Sequence, residues 1–247
     1  MPTNELIIPI QNWRHAANVR AAYTTRGEAP FESPYDHFNL ASHVEDDSQK
    51  VDENRQALCR ELDLPRQPLW LNQVHGTDCV VNDHDQGVPT ADASFSCEAG
   101  RVCAVLSADC LPILVCSIDG LEVAAIHAGW RGLLSGVVEK TLRRFASPAG
   151  QIQAWLGPRI SSRHYEVGPD LIEKFRAADT HYEAAVSQVG SRQFFDLGAI
   201  AQLQLRRAGI KNIQDCRLCT YERENEFYSY RRDGITGRFA CLIWRDR

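Results

Sequence analysis

The 247-residue sequence lacks three features that would assign it to a specialised class of protein. It has no apolar run of the roughly 18 residues that a membrane helix needs, because even the stretch 102–115 is interrupted by Asp109 and Pro112. It has no basic excess, since 27 Lys and Arg stand against 32 Asp and Glu, for a net charge of −5. It also has no Gly/Ser-rich or Pro-rich linker and no internal repeat. We therefore expect a globular protein without membrane or nucleic-acid partners.

The N-terminus and the cysteines indicate a cellular compartment. The apolar run Leu6–Ile10 is short, contains a proline and follows no basic stretch, so it does not resemble a signal peptide. The nine cysteines are scattered without the framework of a disulfide-rich protein, in a chain long enough to bury a core without such bridges. These features predict a cytoplasmic protein with reduced thiols.

Hydrophobic patterning predicts one domain, residues 1–247, that mixes strands and helices. Runs rich in Val, Ile and aromatic residues predict strands at Val19–Thr25, Leu69–Gln73, Val102–Ser107, Ile113–Ile118, Glu122–His127, Ile152–Leu156 and Arg238–Trp244. Apolar residues at helical spacing predict helices at Gln49–Glu61, Leu133–Phe145, Pro169–Ala178 and Leu197–Ala208. Because strands and helices intermix along the whole length, the expected fold class is α/β or mixed α+β.

Three segments place polar or reactive residues directly after apolar strands. They are LWLNQVHG at 69–76, VLSADCLP at 105–112 and VAAIHAGWRG at 123–132. Residues at strand ends lie on loops that a rigid sheet holds in place, which favours a functional site there. We therefore take His75, Cys110 and His127 as candidates that could converge.

The chemistry of these three residues is that of a metal site. Two imidazoles and one thiolate suit zinc, and three protein ligands leave the fourth tetrahedral position for water or substrate. Copper would also accept them. The separations of 35 and 17 residues match no short zinc-finger spacing. Spacing alone therefore leaves open a structural role for each, as a buried thiol or a hydrogen-bonded histidine.

Three other patterns each have a functional and a structural interpretation. The turn 129–132 could hold an anion such as phosphate with its free amides and Arg131, or it could be a tight strand-to-helix turn. Cys216 and Cys219 have the spacing of a redox motif without its strand-to-helix context, which favours coincidence. The segment 228–233 is either an anion- or base-binding surface or, as we favour, a strand with a salt-bridged edge.

Motifs along nearly the whole chain resemble those of one known family. In chain order they are LNQVHG, ADAS, LSADCLPIL, AAIHAGWRG, AWLGPRI, EVG, CTY and YSYRRD. They are similar to those of the YfiH-type family, also called the laccase-domain or polyphenol oxidase family, whose members act as purine nucleoside phosphorylases. The resemblance implies a single layered domain with sheets packed between helices. It also implies that His75, Cys110 and His127 are zinc ligands, with copper as the alternative metal.

The resemblance further implies substrates and roles. The substrates would be phosphate and a purine nucleoside, namely adenosine, inosine or methylthioadenosine, and adenosine deamination would be a second reaction. Cys110 and Asp109 are the catalytic candidates, Asp109 as an orienting or proton-handling group. Arg26, Asn39 and Arg131 are the substrate-binding candidates, the arginines as contacts to phosphate or ribose. The oligomeric state stays open, with a homodimer as one alternative.

One departure from the family pattern and three alternative functions remain. After Arg26 the chain reads Gly27-Glu28-Ala29 instead of the usual double glycine, which could reshape the loop and alter substrate preference. Copper-dependent polyphenol oxidation, amide hydrolysis in cell-wall precursors and non-catalytic metal binding are the other functions. A true multicopper oxidase is disfavoured, because its two copper centres need more histidines than the eight present, and no His-x-His pair occurs.

Overall fold

The computed structural model describes residues 5–11, 13 and 16–246. The strands are β1 (Ile7–Pro9), β2 (Val19–Thr24), β3 (Cys79–Val81), β4 (Ala93–Ser96), β5 (Val102–Ser107), β6 (Leu111–Ser117), β7 (Val123–Ala128), β8 (Ile152–Leu156), β9 (Glu166–Val167), β10 (Val186–Val189), β11 (Arg192–Phe195), β12 (Asn212–Asp215) and β13 (Phe239–Arg245). The α-helices are α1 (Ser48–Glu61), α2 (Trp130–Ser135), α3 (Val137–Leu142), α4 (Pro169–Ala178), α5 (Leu197–Arg207) and α6 (Tyr230–Asp233). Short 3₁₀ helices cover Ala149–Gln151 and Thr180–Ala185.

Two large sheets form the centre of the molecule. One is antiparallel, with the strand order β1-β2-β13-β5. The other has six strands in the order β12-β8-β6-β7-β4-β3, and its two outermost pairs are parallel. A small antiparallel sheet, β10-β11-β9, lies outside them.

The alternation of side chains along single strands shows how the layers stack. In β6, Ile113 packs towards the helices whereas Leu114 packs into the core between the two large sheets. In β13, Cys241 faces that same core whereas Leu242 packs on the other face, together with Leu58 of α1. The layers therefore run from α1 through the two sheets to helices α2 to α5. This confirms the predicted mixed fold with sheets between helices.

Six of the seven predicted strands are confirmed, with ends that move by two residues at most. The prediction for Leu69–Gln73 is wrong, because the segment makes only isolated bridges, at Leu69 and Asn72. The side-chain amide of Gln73 replaces a neighbouring strand here. It donates to the carbonyl of Leu106 and accepts from the N–H of Leu106, each at 2.8 Å.

Two predictions about helices also need correction. The single helix over Leu133–Phe145 is two short helices, because Gly136 has a φ of 87°, a left-handed conformation that favours glycine and ends α2. The strand favoured for 228–233 is wrong, since that segment contains α6. The hydroxyl of Ser229 caps α6 by accepting from the N–H of Arg232. The helices over 48–61, 169–178 and 197–207 are confirmed.

Two general features agree with the composition. No helix in the described ranges is long and apolar enough to cross a membrane. All nine cysteines are free, including Cys216 and Cys219, and five of the nine are buried. Sγ of Cys219 accepts a hydrogen bond from the N–H of Ser161, so this thiol has a structural contact.

Candidate metal centre

The three predicted ligands meet at one end of the six-stranded sheet. His127 lies near the end of β7, Cys110 lies in the turn between β5 and β6, and His75 precedes β3. Their ligand atoms all lie within 4.8 Å of one another, and Sγ of Cys110 is 3.7 Å from Nε2 of His75. The two imidazole rings pack edge to face with centroids 4.8 Å apart. Residues far apart in sequence thus form one compact cluster.

Asp92, directly before β4, orients both histidines. Its Oδ1 accepts from Nδ1 of His127 at 2.8 Å and from the backbone N–H of His75 at 2.9 Å. Its Oδ2 accepts from the backbone N–H groups of Val74 and Gly76 at 3.2 and 2.6 Å. Because an ionised carboxylate only accepts hydrogen bonds, the proton of His127 is held on Nδ1. Nε2 of His127 is therefore the ring nitrogen that a metal would take, displacing any proton that it carries.

The turn that carries Cys110 is held by hydrogen bonds of Ser107, Asp109 and Cys110. Asp109 has a φ of 100°, in the region that favours glycine. Its carboxylate accepts from the hydroxyl of Thr220 and from the backbone N–H of Arg231, each at 2.6 Å. The hydroxyl of Ser107 donates to the carbonyl of Cys110 at 2.6 Å. These contacts hold the thiol in place despite the unfavourable backbone angle.

Gly129 lets the cluster close. A Cβ atom at this position would lie 2.9 Å from Cδ2 of His75 and 3.0 Å from Sγ of Cys110. Any side chain would therefore push two of the three ligands apart. This gives a physical reason for the glycine that follows His127 and Ala128.

The electrostatics of the cluster favour the metal-binding form of the cysteine. Burial raises the pKa of the Cys110 thiol, but the charge of His127 and hydrogen bonds from both histidines outweigh burial and lower this pKa to about 6. Burial lowers the pKa of His127, whereas Cys110 and Asp92 raise it to about 9. The pKa of Asp92 lies below its usual range, because His127 and backbone N–H groups outweigh burial. Cys110 is therefore a thiolate at neutral pH.

The residues fit a catalytic zinc ion. Two imidazole nitrogens and a thiolate are common zinc ligands, and Asp92 supports one of them from behind. His127 is buried, Cys110 is half-buried and His75 is exposed, so the cluster opens to solvent on one side. A catalytic zinc site needs such an opening for its fourth position.

The structure places Arg131 on α2, two residues beyond Gly129. Its side chain is exposed, and its guanidinium lies 4.4 Å from the centroid of the Trp130 ring. Within the described ranges no carboxylate forms an ion pair with Arg131. Since α2 has only six residues, the charge of Arg131 itself, rather than the helix, supports the predicted anion contact.

Within the described ranges, neither Arg26 nor Asn39 makes a hydrogen bond or a ring contact with the three predicted ligands. Arg26 is 5% exposed, stacks 3.6 Å from the centroid of Phe31, and lines a cavity of about 620 Å³ that includes none of the three. Asn39 is buried, and its Oδ1 accepts from the N–H groups of Ala41 and Arg238. Direct substrate contact by either residue stays a prediction.

The loop after Arg26 tolerates the loss of the double glycine. Gly27 has a φ of 97°, which favours glycine, whereas Glu28 and Ala29 do not have a positive φ. The two residues that replace the usual double glycine are therefore not strained. An effect on substrate preference stays a prediction.

Asp92 is the main residue of the site that sequence reasoning did not identify. It lies within the ADAS motif, 17 residues from His75 and 35 from His127. An acidic residue before a strand has no local signal for a role in orienting a histidine. The one signal that could have identified Asp92 was its place in the ADAS motif, which is similar to a motif of the family.

Comparison with known proteins agrees with the geometry. The family described as multi-copper polyphenol oxidoreductase laccase matches residues 20–246. A Shigella flexneri protein named purine nucleoside phosphorylase YfiH is 43% identical over 242 residues, which cover 98% of this chain and 99% of that protein. A Pseudomonas aeruginosa purine nucleoside phosphorylase is 42% identical over 237 residues, 94% of this chain and 96% of that protein.

Solved structures show the same fold. The crystal structure of Neisseria meningitidis protein NMB0706 matches with a TM-score of 0.91 and 40% identity, covering 99% of this chain and 100% of that one. The Bacillus licheniformis hypothetical protein YfiH matches with a TM-score of 0.89 and 26% identity, covering 99% and 97%. The resemblance stated from the motifs is confirmed.

Proposed function

The chain belongs to the multi-copper polyphenol oxidoreductase laccase family, and from this premise we propose that it is a zinc-dependent purine nucleoside phosphorylase. The cluster of His75, Cys110 and His127 carries the proposal, together with relatives named for this activity along their full length. Adenosine, inosine and methylthioadenosine are the proposed nucleosides. A phosphate oxygen would attack C1′ of the ribose as the bond from C1′ to the base nitrogen breaks. The products would be the purine, which takes up a proton, and the sugar 1-phosphate, namely ribose 1-phosphate from adenosine or inosine and 5-methylthioribose 1-phosphate from methylthioadenosine.

His75, Cys110 and His127 would hold the zinc ion. The ion would act as a Lewis acid and stabilise negative charge that develops on an oxygen atom of a substrate. Asp92 fixes the tautomer of His127, and Gly129 keeps the ligands close. These residues organise the site before any substrate arrives.

The remaining candidates have different support. Arg131 is exposed and unpaired in the described part of the chain, so its guanidinium can contact two oxygens of phosphate or ribose at once. Both carboxylate oxygens of Asp109 already accept hydrogen bonds, which favours the orienting part of its proposed role over proton handling. Arg26 and Asn39 are proposed as substrate contacts from their motif match alone.

Adenosine deamination, a cytoplasmic location and a homodimer are further proposals that rest on the family resemblance or on the sequence. Copper-dependent oxidation is the less favoured function. Within the described ranges, His75, Cys110 and His127 are the only group of three such ligands, whereas a multicopper oxidase needs separate copper centres.

The experiment that tests the proposal is an assay of phosphate dependence. The purified zinc-loaded protein is incubated with each nucleoside, with and without phosphate, and products are separated by chromatography. We expect the purine and the corresponding sugar 1-phosphate only when phosphate is present, and neither product from the Cys110→Ala variant, which controls for contaminating enzymes. Equal purine release without phosphate would show a hydrolase. Oxidation of a phenol by the copper-loaded protein, with nucleosides left intact, would favour the oxidase.

A further inference from the structure

Arg238 lies beside the metal centre, although it is more than 100 residues from each metal ligand in sequence. It directly precedes β13, where Phe239 pairs with Ser107 at the end of β5. The hydroxyl of Ser107 in turn donates to the carbonyl of Cys110 at 2.6 Å. The antiparallel register therefore brings Arg238 next to the turn that carries the thiol.

A second path of contacts leads to the same place. The N–H of Arg231 donates to the carboxylate of Asp109 at 2.6 Å, which fixes the start of α6 against this turn. The preceding residue, Tyr230, is 62% exposed, and the guanidinium of Arg238 lies 6.0 Å from the centroid of its ring. The guanidinium therefore lies on the side of the Asp109 turn, beside an aromatic ring that faces solvent, and the charges of Cys110 and Asp109 act on it.

The hydrogen bonds of Arg238 leave part of its guanidinium free. Nη1 donates to the carbonyls of Thr236 and Gly237 at 2.7 and 2.9 Å. In the described part of the chain, Nε and Nη2 make no hydrogen bond, and no carboxylate forms an ion pair with this side chain. The negative charges that act on Arg238 include the thiolate of Cys110 and the carboxylate of Asp109. The carboxylate of Asp109 is already bonded to Thr220 and Arg231.

We propose that Arg238 binds inorganic phosphate beside the metal centre, and this inference rests on the proposed phosphorylase function. A half-buried guanidinium in which the nitrogens Nε and Nη2 are free matches the geometry of a phosphate better than a point charge does. Burial also strengthens the contact, because less water competes for it. Arg131, which stacks on Trp130, is then left as the contact for the nucleoside.

The inference also gives Asn39 a role. Oδ1 of Asn39 accepts from the backbone N–H of Arg238 at 2.9 Å, and Nδ2 donates to Asp46 at 2.9 Å. Asn39 is therefore a positioning residue that holds the backbone of Arg238, and it does not need to contact substrate itself.

Phosphate saturation curves test the proposal. They are measured at saturating inosine for the zinc-loaded wild type, Arg238→Gln and Arg238→Lys. Arg206→Gln is the matched control, because Arg206 is exposed on α5 in the outer helix layer. We expect the KM for phosphate to rise about 10- to 100-fold in Arg238→Gln, the range for loss of a charge-assisted contact, and to rise less in Arg238→Lys. The KM for inosine, the zinc content and the Tm should stay near the wild-type values.

Two results would overturn the inference. One is an unchanged KM for phosphate in folded, zinc-loaded Arg238→Gln. The other is a loss of zinc from this variant, which would show that Arg238 stabilises the turn instead. Calorimetric titration of inorganic phosphate without nucleoside separates this inference from the proposed function. Binding that weakens at least tenfold in Arg238→Gln would support the site even if the wild type cleaved no nucleoside, and equal binding would refute it.

Discussion

Cys103 and Cys110 lie seven residues apart but in opposite chemical environments. Cys103 points from β5 into the apolar core between the two large sheets, where burial raises the pKa of its thiol to about 12. Cys110 lies beside two histidines, and the pKa of its thiol is lowered to about 6. The comparison shows that burial alone keeps a thiol neutral, whereas placed imidazoles can reverse that effect.

The backbone shows the same contrast. The strands around Cys103 pair regularly, with Cys103 opposite Ile243 of β13. At the metal centre, His75 and Asp109 have φ values of 59° and 100°, in a region that L-residues rarely adopt. The apolar core supplies the stability that holds the unfavourable backbone angles of His75 and Asp109 in place. Changes at the metal centre should therefore affect chemistry, and changes in the core should affect stability.

The largest expected difference is between the two cysteines themselves. Cys110→Ala should lose bound zinc and nucleoside cleavage with little change in Tm, since a core of this size does not depend on a metal. Cys103→Ala should keep its zinc but lose about 1–2 kcal/mol of unfolding free energy through a small cavity. Elemental analysis and denaturant unfolding measure the two effects. Equal zinc in Cys110→Ala and wild type would remove Cys110 from the site.

The next prediction concerns thiol reactivity and pH. Because the pKa of Cys110 is lowered, its thiolate is present above about pH 6, so alkylation of chelator-treated protein should rise through that pH and then level off. Exposed Cys97 is the control, since burial and Asp83 raise the pKa of its thiol and its labelling should begin at higher pH. Cys103 should react only after unfolding. Peptide mass spectrometry reports each site, and a Cys110 profile that follows Cys97 would contradict the prediction.

A smaller effect is expected from Asp92→Asn, which alters the support of the site without removing a ligand. Unlike the carboxylate, an amide has a single acceptor oxygen, so it cannot accept from His127 on one side and from the N–H groups of Val74 and Gly76 on the other. Zinc affinity should fall about 10- to 100-fold, as competition with a chelator would show. Asp85→Asn is a suitable control, because Asp85 is an exposed partner of Arg101. Equal affinities in the two variants would mean that Asp92 does not support the metal.

The smallest effect on the structure is expected at Arg131, whose side chain is exposed. Arg131→Lys keeps the charge but loses the forked geometry, so kcat/KM should fall about 10- to 100-fold for loss of one contact of about 1.5–3 kcal/mol. Zinc content and Tm should hardly change, because Arg131 is exposed and its guanidinium lies over the ring of Trp130. Saturation curves for nucleoside and phosphate show which affinity changes. Wild-type values for both would leave Arg131 without a ligand role.

Local sequence patterns predicted most of the strands and helices. They failed where a side chain makes the hydrogen bonds of a strand or where a single backbone angle ends a helix. Strands such as Val102–Ser107 and Ile152–Leu156 follow from short apolar runs that contain Val, Ile or Trp and lie between turn residues. The segment at Leu69 looks like a strand, but the amide of Gln73 makes the hydrogen bonds that a strand would make. The apolar spacing continues across Gly136, so periodicity alone does not reveal the break between α2 and α3.

The sequence by itself determined the layered fold class and the three candidate metal ligands, because apolar periodicity and motifs shared along the chain are local and can be read in order. Tertiary structure alone decided which residues lie around those candidates. Asp92 reaches His75 and His127 through the pairing of distant segments, and Arg238 reaches the Cys110 turn through the register of β13 on β5. Such contacts depend on the packing of elements far apart in sequence, and no local pattern of residues carries that information.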